Sequence, residues 1–108
     1  MEFVSHATSG DDGTRHNLMV AGEFVGHYDM LDSGELANVY VAPEHRGRGH
    51  AATLLAHALR QYRRARIRPY LYCHADNAVA LHAYRRAGFC RTNDGPYVKL
   101  ALPAPADV

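Results

Sequence analysis

The sequence has no apolar run near the roughly 20 residues that span a bilayer as a helix. It also lacks the basic-then-apolar opening of a secretory leader, so the expected compartment is the cytoplasm, away from membranes. Cysteine is scarce. Cys73 and Cys90 alone do not make a secreted disulfide framework and read as buried thiols in a reducing compartment. Charge of one sign is missing too: at a net +1, no global field directs the chain to nucleic acid. Eight histidines are present, but HExxH and Cys-x-x-Cys are not, and no metal site is expected. His45 and His50, and His74 and His82, read as ordinary histidines.

What is present suffices for one small domain. The 108 residues are 47% hydrophobic, enough for a core without staples. A chain of this size buries roughly two-thirds of the surface it exposes unfolded. The domain is expected over residues 1–102. The Pro/Ala-rich residues 103–108 are expected to fray.

The most informative stretch is Val39-Tyr40-Val41-Ala42-Pro43-Glu44-His45-Arg46-Gly47-Arg48-Gly49-His50-Ala51. An apolar strand runs into alternating Arg and Gly, which open into an amphipathic helix. Backbone N–H groups at a positive helix end bind phosphate. Gly47 and Gly49 permit left-handed backbone and close approach, and Arg46 and Arg48 supply charge. A plain strand-to-helix turn is the alternative on spacing alone. GxxxxGK[ST] and GxGxxG are both absent, which excludes a P-loop and a dinucleotide fingerprint.

Strands are expected over residues 2–8, 16–21, 24–30 and 35–41, with the second and third joined as a hairpin at Gly22-Glu23. The first helix carries Ala51, Leu54, Leu55, Ala58, Leu59 and Tyr62 at the spacing of one buried face. Arg60, Arg63 and Arg64 crowd its end, as a solvated face or as contacts to a ligand's outer phosphate. A strand over 68–74 follows. Asp76 or Asn77 caps a helix reaching Ala87, and Gly88 suits its left-handed exit. Residues 89–91 and 97–102 close as a hairpin. The order β-β-β-β-α-β-α-β-β implies one mixed sheet of the α/β class, with a parallel crossover between the fourth and fifth strands.

These blocks resemble the GCN5-related N-acetyltransferase family. Its signature, [Gln/Arg]-x-x-Gly-x-[Gly/Ala] after a strand and opening a helix, is matched by Arg46-Gly47-Arg48-Gly49-His50-Ala51. A second family block, Asn, then Tyr seven residues on, then Gly-Phe, is matched by Asn77, Tyr84 and Gly88-Phe89. The resemblance covers residues 35–102 well. It implies an acyl-CoA N-acyltransferase fold and acetyl-CoA as co-substrate. Pantetheine would pair with Val39 and Val41 in a gap between splayed strands, with Tyr40 turned to the opposite face. The diphosphate would lie on Arg46, Gly47, Arg48, Gly49, His50 and Ala51, and Asn77 would hold the pantetheine arm.

The resemblance also implies catalytic roles. Tyr84 occupies the position of a donor to the departing thiolate. A phenol of pKa ~10 lies above a thiol of ~8.5, so full transfer is uphill by ~2 kcal/mol and a hydrogen bond is the better description. The amine must be neutral to attack, at ~4.6 kcal/mol for a lysine and ~1.4 kcal/mol for an α-amine at pH 7. Glu35 sits eleven residues before the signature, the place of the base in the family's histone-acetylating branch. In the branch acting on ribosomal-protein N-termini the glutamate falls at Tyr72, so that assignment fails. Tyr70, Tyr72 and His74 alternate on one face, lining an acceptor cleft or packing under a helix.

The family's usual one or two helices between its first two strands are missing, replaced by about seven turn residues. The acceptor site is therefore open and suited to a peptide tail, or completed by a second copy and suited to a small amine. A sheet flank left bare favours a homodimer. Direct acetyl transfer to a primary amine is the leading reading. The alternatives are an acyl-CoA-binding module with little turnover and an interaction domain using the Arg-rich helix face.

Overall fold

A computed structural model describes residues 1–103. The expected tail, apart from Pro103, lies outside them. Four antiparallel strands come first: β1 (Glu2–Ala7), β2 (Gly13–Val20), β3 (Glu23–Leu31) and β4 (Leu36–Val41). A 3-10 turn, Pro43–His45, leads to helix α1 (His50–Ala65). Then follow β5 (Tyr70–His74), α2 (Ala78–Arg86), β6 (Cys90–Arg91) and β7 (Tyr97–Ala101). The element order is the expected one.

Three details differ. Strand β2 begins at Gly13, because Thr14 and Arg15 pair with Ala7 and His6 instead of extending the turn. The β2–β3 hairpin turns on Ala21 and Gly22, both at positive φ (52° and 78°), one residue earlier than expected. The single sheet is divided in two. β1-β2-β3-β4 form one sheet and β5-β7-β6 the other, joined by one parallel bridge between Glu35 and Tyr70. β4 and β5 part beyond that bridge, so the expected parallel crossover keeps only its first contact.

Both sheets feed one core. Leu54, Leu55, Ala58 and Tyr62 of α1 are buried against Leu18, Val25, Tyr28 and Leu36. Leu71, Cys73, Val98 and Leu100 continue the same core beneath Leu81 of α2. Each fully buried Leu stabilises by about 1.5–3 kcal/mol relative to exposure. Helix α1 ends where Arg66 turns left-handed (φ 58°) and the Ile67 amide donates to the Tyr62 carbonyl at 3.0 Å.

The opposite sheet face carries neither helix. Tyr70, Tyr72 and His74 turn onto it, paired with Ala101, Lys99 and Tyr97. They do not pack under a helix: Tyr72 is 50% exposed, and the Lys99 ammonium lies 4.9 Å from the Tyr70 ring centre. Val4, Phe24, Tyr40 and Tyr97 are exposed as well. Cys73 is buried as expected, but Cys90, on the short strand β6, is exposed. Among the described residues no helix is long and apolar enough to cross a membrane.

Candidate active site

The parting of β4 from β5 creates a cleft of about 590 Å³ between the end of β4, the start of α1 and the face of α2. Val39, Tyr40, Val41, Arg46, Gly47, Gly49, His50, Ala51, Asn77 and Tyr84 all line it. Arg48 and Glu35 do not. Val39 and Val41 also pack against the core, whereas the Tyr40 ring stacks on the opposite face with Phe24 and His27.

One end of the cleft is built for an anion. Gly47 and Gly49 have φ of 79° and 81°, and a Cβ on either would meet open space. Conformation, not crowding, demands glycine there. No side chain caps the start of α1 and no acidic residue occupies its first turn. Its free N–H groups and positive dipole end are left for a ligand. Arg46 is partly committed to the fold: its Nε donates to the Val41 carbonyl at 2.9 Å, and its guanidinium lies 5.9 Å from the Tyr40 ring centre. His45, read from the sequence as an ordinary histidine, lines the cleft as well. His45 is 9% exposed, with Nε2 3.3 Å from a Glu23 carboxylate oxygen and its ring edge-on to His50. Glu23 lies 22 positions earlier, and no local pattern signals that contact.

The other end is narrower in chemistry. The Asn77 side-chain oxygen accepts from the Ala80 amide at 3.1 Å and caps α2, which leaves the Asn77 NH₂ group as a donor. Over the next two turns of α2, Ala80, Ala83 and Tyr84 line the cleft. Burial, with the neighbouring Cys73 adding to it, pushes the Tyr84 phenol up to about 12. At that value the phenol stays protonated at neutral pH and is available as a donor.

Glu35 stands at the closed end of the splay, beside the bridge to Tyr70, and its carbonyl accepts from the Tyr62 hydroxyl at 2.8 Å. At ~3.3 Å per residue, Val39 to Val41 lie roughly 13–20 Å further along the strand. Alternation from core-facing Leu36 turns the Glu35 side chain to the helix-free face. Among the described residues no group of three or more His, Cys, Asp or Glu side chains is placed to hold a metal ion.

The Acetyltransferase (GNAT) family model matches residues 8–89. The chain belongs to this family. Solved structures share the GNAT fold. PaiA N-acetyltransferase from Thermoplasma acidophilum, in complex with coenzyme A, superposes with a TM-score of 0.74 at 22% identity, over 83% of this chain and 60% of that one. A GNAT family acetyltransferase from Elizabethkingia anophelis with acetyl-CoA bound gives 0.77 at 14%, over 86% and 77%. The ribosomal-protein-S18-alanine N-acetyltransferase of Escherichia coli gives 0.76 at 23%, over 93% and 76%. Mycothiol acetyltransferase from Cellulomonas flavigena is 45% identical over 60 residues, which are 55% of this chain and 17% of that protein. This GNAT chain thus spans less than a fifth of that curated relative.

Proposed function

We propose that the protein transfers an acetyl group from acetyl-CoA to a primary amine by direct attack. The observation that carries this reading is the cleft itself, with a glycine-shaped anion site at one end and a protonated tyrosine at the other. Gly47, Gly49, His50 and Ala51 would hold the diphosphate on main-chain amides, with Arg46 and Arg48 adding charge. Val39 and Val41 would pair with the pantetheine arm, Tyr40 would contribute backbone alone, and the Asn77 NH₂ would donate to the same arm. Acetyl-CoA supplies the thioester: the amine nitrogen bonds to its carbonyl carbon, the C–S bond breaks, and the amine gives up a proton.

Tyr84 donates a hydrogen bond to the developing thiolate. Full transfer from a phenol near 12 to a thiolate of ~8.5 is uphill by about 5 kcal/mol, so the proton that the thiolate finally takes comes from the amine. Glu35 on the helix-free face is the proposed base, reaching the acceptor through water. Exposed Val4, Phe24, Tyr40, Tyr72 and Tyr97 on that face support a homodimer as the arrangement that closes the acceptor side. Light scattering at twice the chain mass supports it, and the single-chain mass removes it.

A second reading, an acyl-CoA-binding module, is favoured by the absence of Glu35 from the cleft lining. Calorimetry with acetyl-CoA tests what the two share: no heat at millimolar ligand ends both. Thiol release across a panel of amines separates them, because a module binds and releases nothing.

A further inference from the structure

We infer that Arg15, Asp29 and Asn38 form a positioning device that fixes a bulge in β4 and thereby sets the direction of the strand end lining the cleft. In the β3–β4 ladder, His27 pairs with Tyr40 and Asp29 with Ala37. Asn38 and Val39 therefore share the space opposite Tyr28 alone, which is a β-bulge. Asn38 adopts φ of 52°, a left-handed conformation that asparagine tolerates better than other side chains. The bulge lies between the Glu35–Tyr70 bridge, where β4 and β5 last touch, and Val39 to Val41, where they enclose the cleft. A bulge bends its strand, and this one sits where β4 turns away from β5.

The side chains around it supply the restraint. Asp29 is 3% exposed. Its carboxylate accepts from Arg15 Nε at 2.7 Å and from a terminal Arg15 nitrogen at 2.9 Å. It also accepts from the Asn38 side-chain nitrogen at 2.8 Å. Three strands are thus tied at one point, since Arg15 belongs to β2, Asp29 to β3 and Asn38 to β4. A bidentate guanidinium fixes the orientation of the carboxylate. The oriented carboxylate then holds Asn38 in the conformation that the bulge requires. None of the three side chains lines the cleft. They act on it through the main chain of Val39 to Val41.

The functional part of this claim rests on the acetyl-CoA reading, and the test separates the two. Asn38→Val places a β-branched residue at positive φ and removes the tether. Asn38→Gly removes the tether but keeps the conformation accessible. In calorimetry, Asn38→Val should bind acetyl-CoA at least about tenfold more weakly than wild type, and Asn38→Gly, which keeps the conformation but not the tether, should recover only part of that loss; recovery to wild-type affinity overturns the role of the tether. Equal affinity in wild type and a folded Asn38→Val overturns the proposal. Amide hydrogen exchange of the free protein needs no ligand. Exchange at Val39 to Val41 should quicken in Asn38→Val and Asp29→Asn more than elsewhere in β3 and β4. Exchange that is unchanged there, or raised uniformly, overturns the proposal. If wild type binds no acetyl-CoA, the functional reading fails, and exchange alone decides whether the three residues set the strand end.

Discussion

Tyr84 and Gly49 both line the cleft and carry different parts of the proposed reaction. Burial that holds the Tyr84 phenol near 12 makes it a hydrogen-bond donor of fixed protonation across the working pH range. Tyr84→Phe should lower kcat by about 10²-fold, the size of effect seen when one donor to developing charge is lost, and leave acetyl-CoA affinity near wild type. Stopped-time assays of thiol release beside calorimetry check this, and an unchanged kcat removes Tyr84 from the chemistry. Gly49→Ala acts at the other end. At φ 81° an alanine costs about 1–2 kcal/mol of strain although its Cβ meets nothing. The expected result is a lower melting temperature and weaker acetyl-CoA binding together. Both residues were legible because their chemistry fixes residue type and spacing within one segment. His45 was not, since its neighbour Glu23 lies 22 positions earlier, at the turn of a hairpin. The proposed role of Glu35 rests on an offset alone, and the offset did not reveal that the cleft lies further along the strand.

At the scale of elements, α2 carries two roles at its first turn. The Asn77 oxygen caps the helix, while its NH₂ is the proposed ligand donor. Asn77→Ala should cost about 1 kcal/mol of stability by loss of the cap. Asn77→Ser restores an oxygen acceptor without an amide donor, so stability should return and acetyl-CoA affinity should not. Thermal melts and calorimetry on the two variants read the roles apart; recovery of both by serine would reduce Asn77 to a cap. The strand pair β3–β4 depends on close approach. A Cβ on Gly26 would fall 2.3 Å from the Tyr40 carbonyl oxygen. Periodicity alone marks α1 and α2, because a helix satisfies its pattern within one segment. Division of the sheet was not plain. Alternation tells which face a strand buries, but which neighbour it hydrogen-bonds and where it bulges are settled by side chains of other strands, here Arg15 and Asp29.

Across the whole molecule, a linked pair of histidines, buried His16 and half-buried His57, is expected to make stability depend on acidity. Tyr28 and His57 Nδ1 are 2.8 Å apart, Ser5 and His16 Nδ1 2.6 Å, and Phe3 stacks on His57 at 3.6 Å between ring centres. Burial lowers His57 to about 4, helped by His16, Arg60 and Arg64. Burial also lowers His16, against a smaller opposing pull from Asp29. Both groups therefore hold their protons more weakly folded than unfolded. Below the ordinary value of 6.5 the unfolded chain takes up protons that the folded chain refuses, and stability falls as pH drops from about 6.5 toward 4. Asp29 behaves in a separate window. Burial pushes its carboxyl up, but the hydrogen bonds from Arg15 and Asn38 outweigh that and hold it below 3.8, so its contribution is lost only in stronger acid. The melting temperature should be flat from neutral pH to about 6.5 and then decline through pH 5. His57→Gln removes one titrating ring and keeps a polar partner for Tyr28, so it should flatten that decline between pH 6.5 and 4 while leaving the loss at lower pH in place. A His57→Gln melt that tracks wild type at every pH would place the acid sensitivity elsewhere.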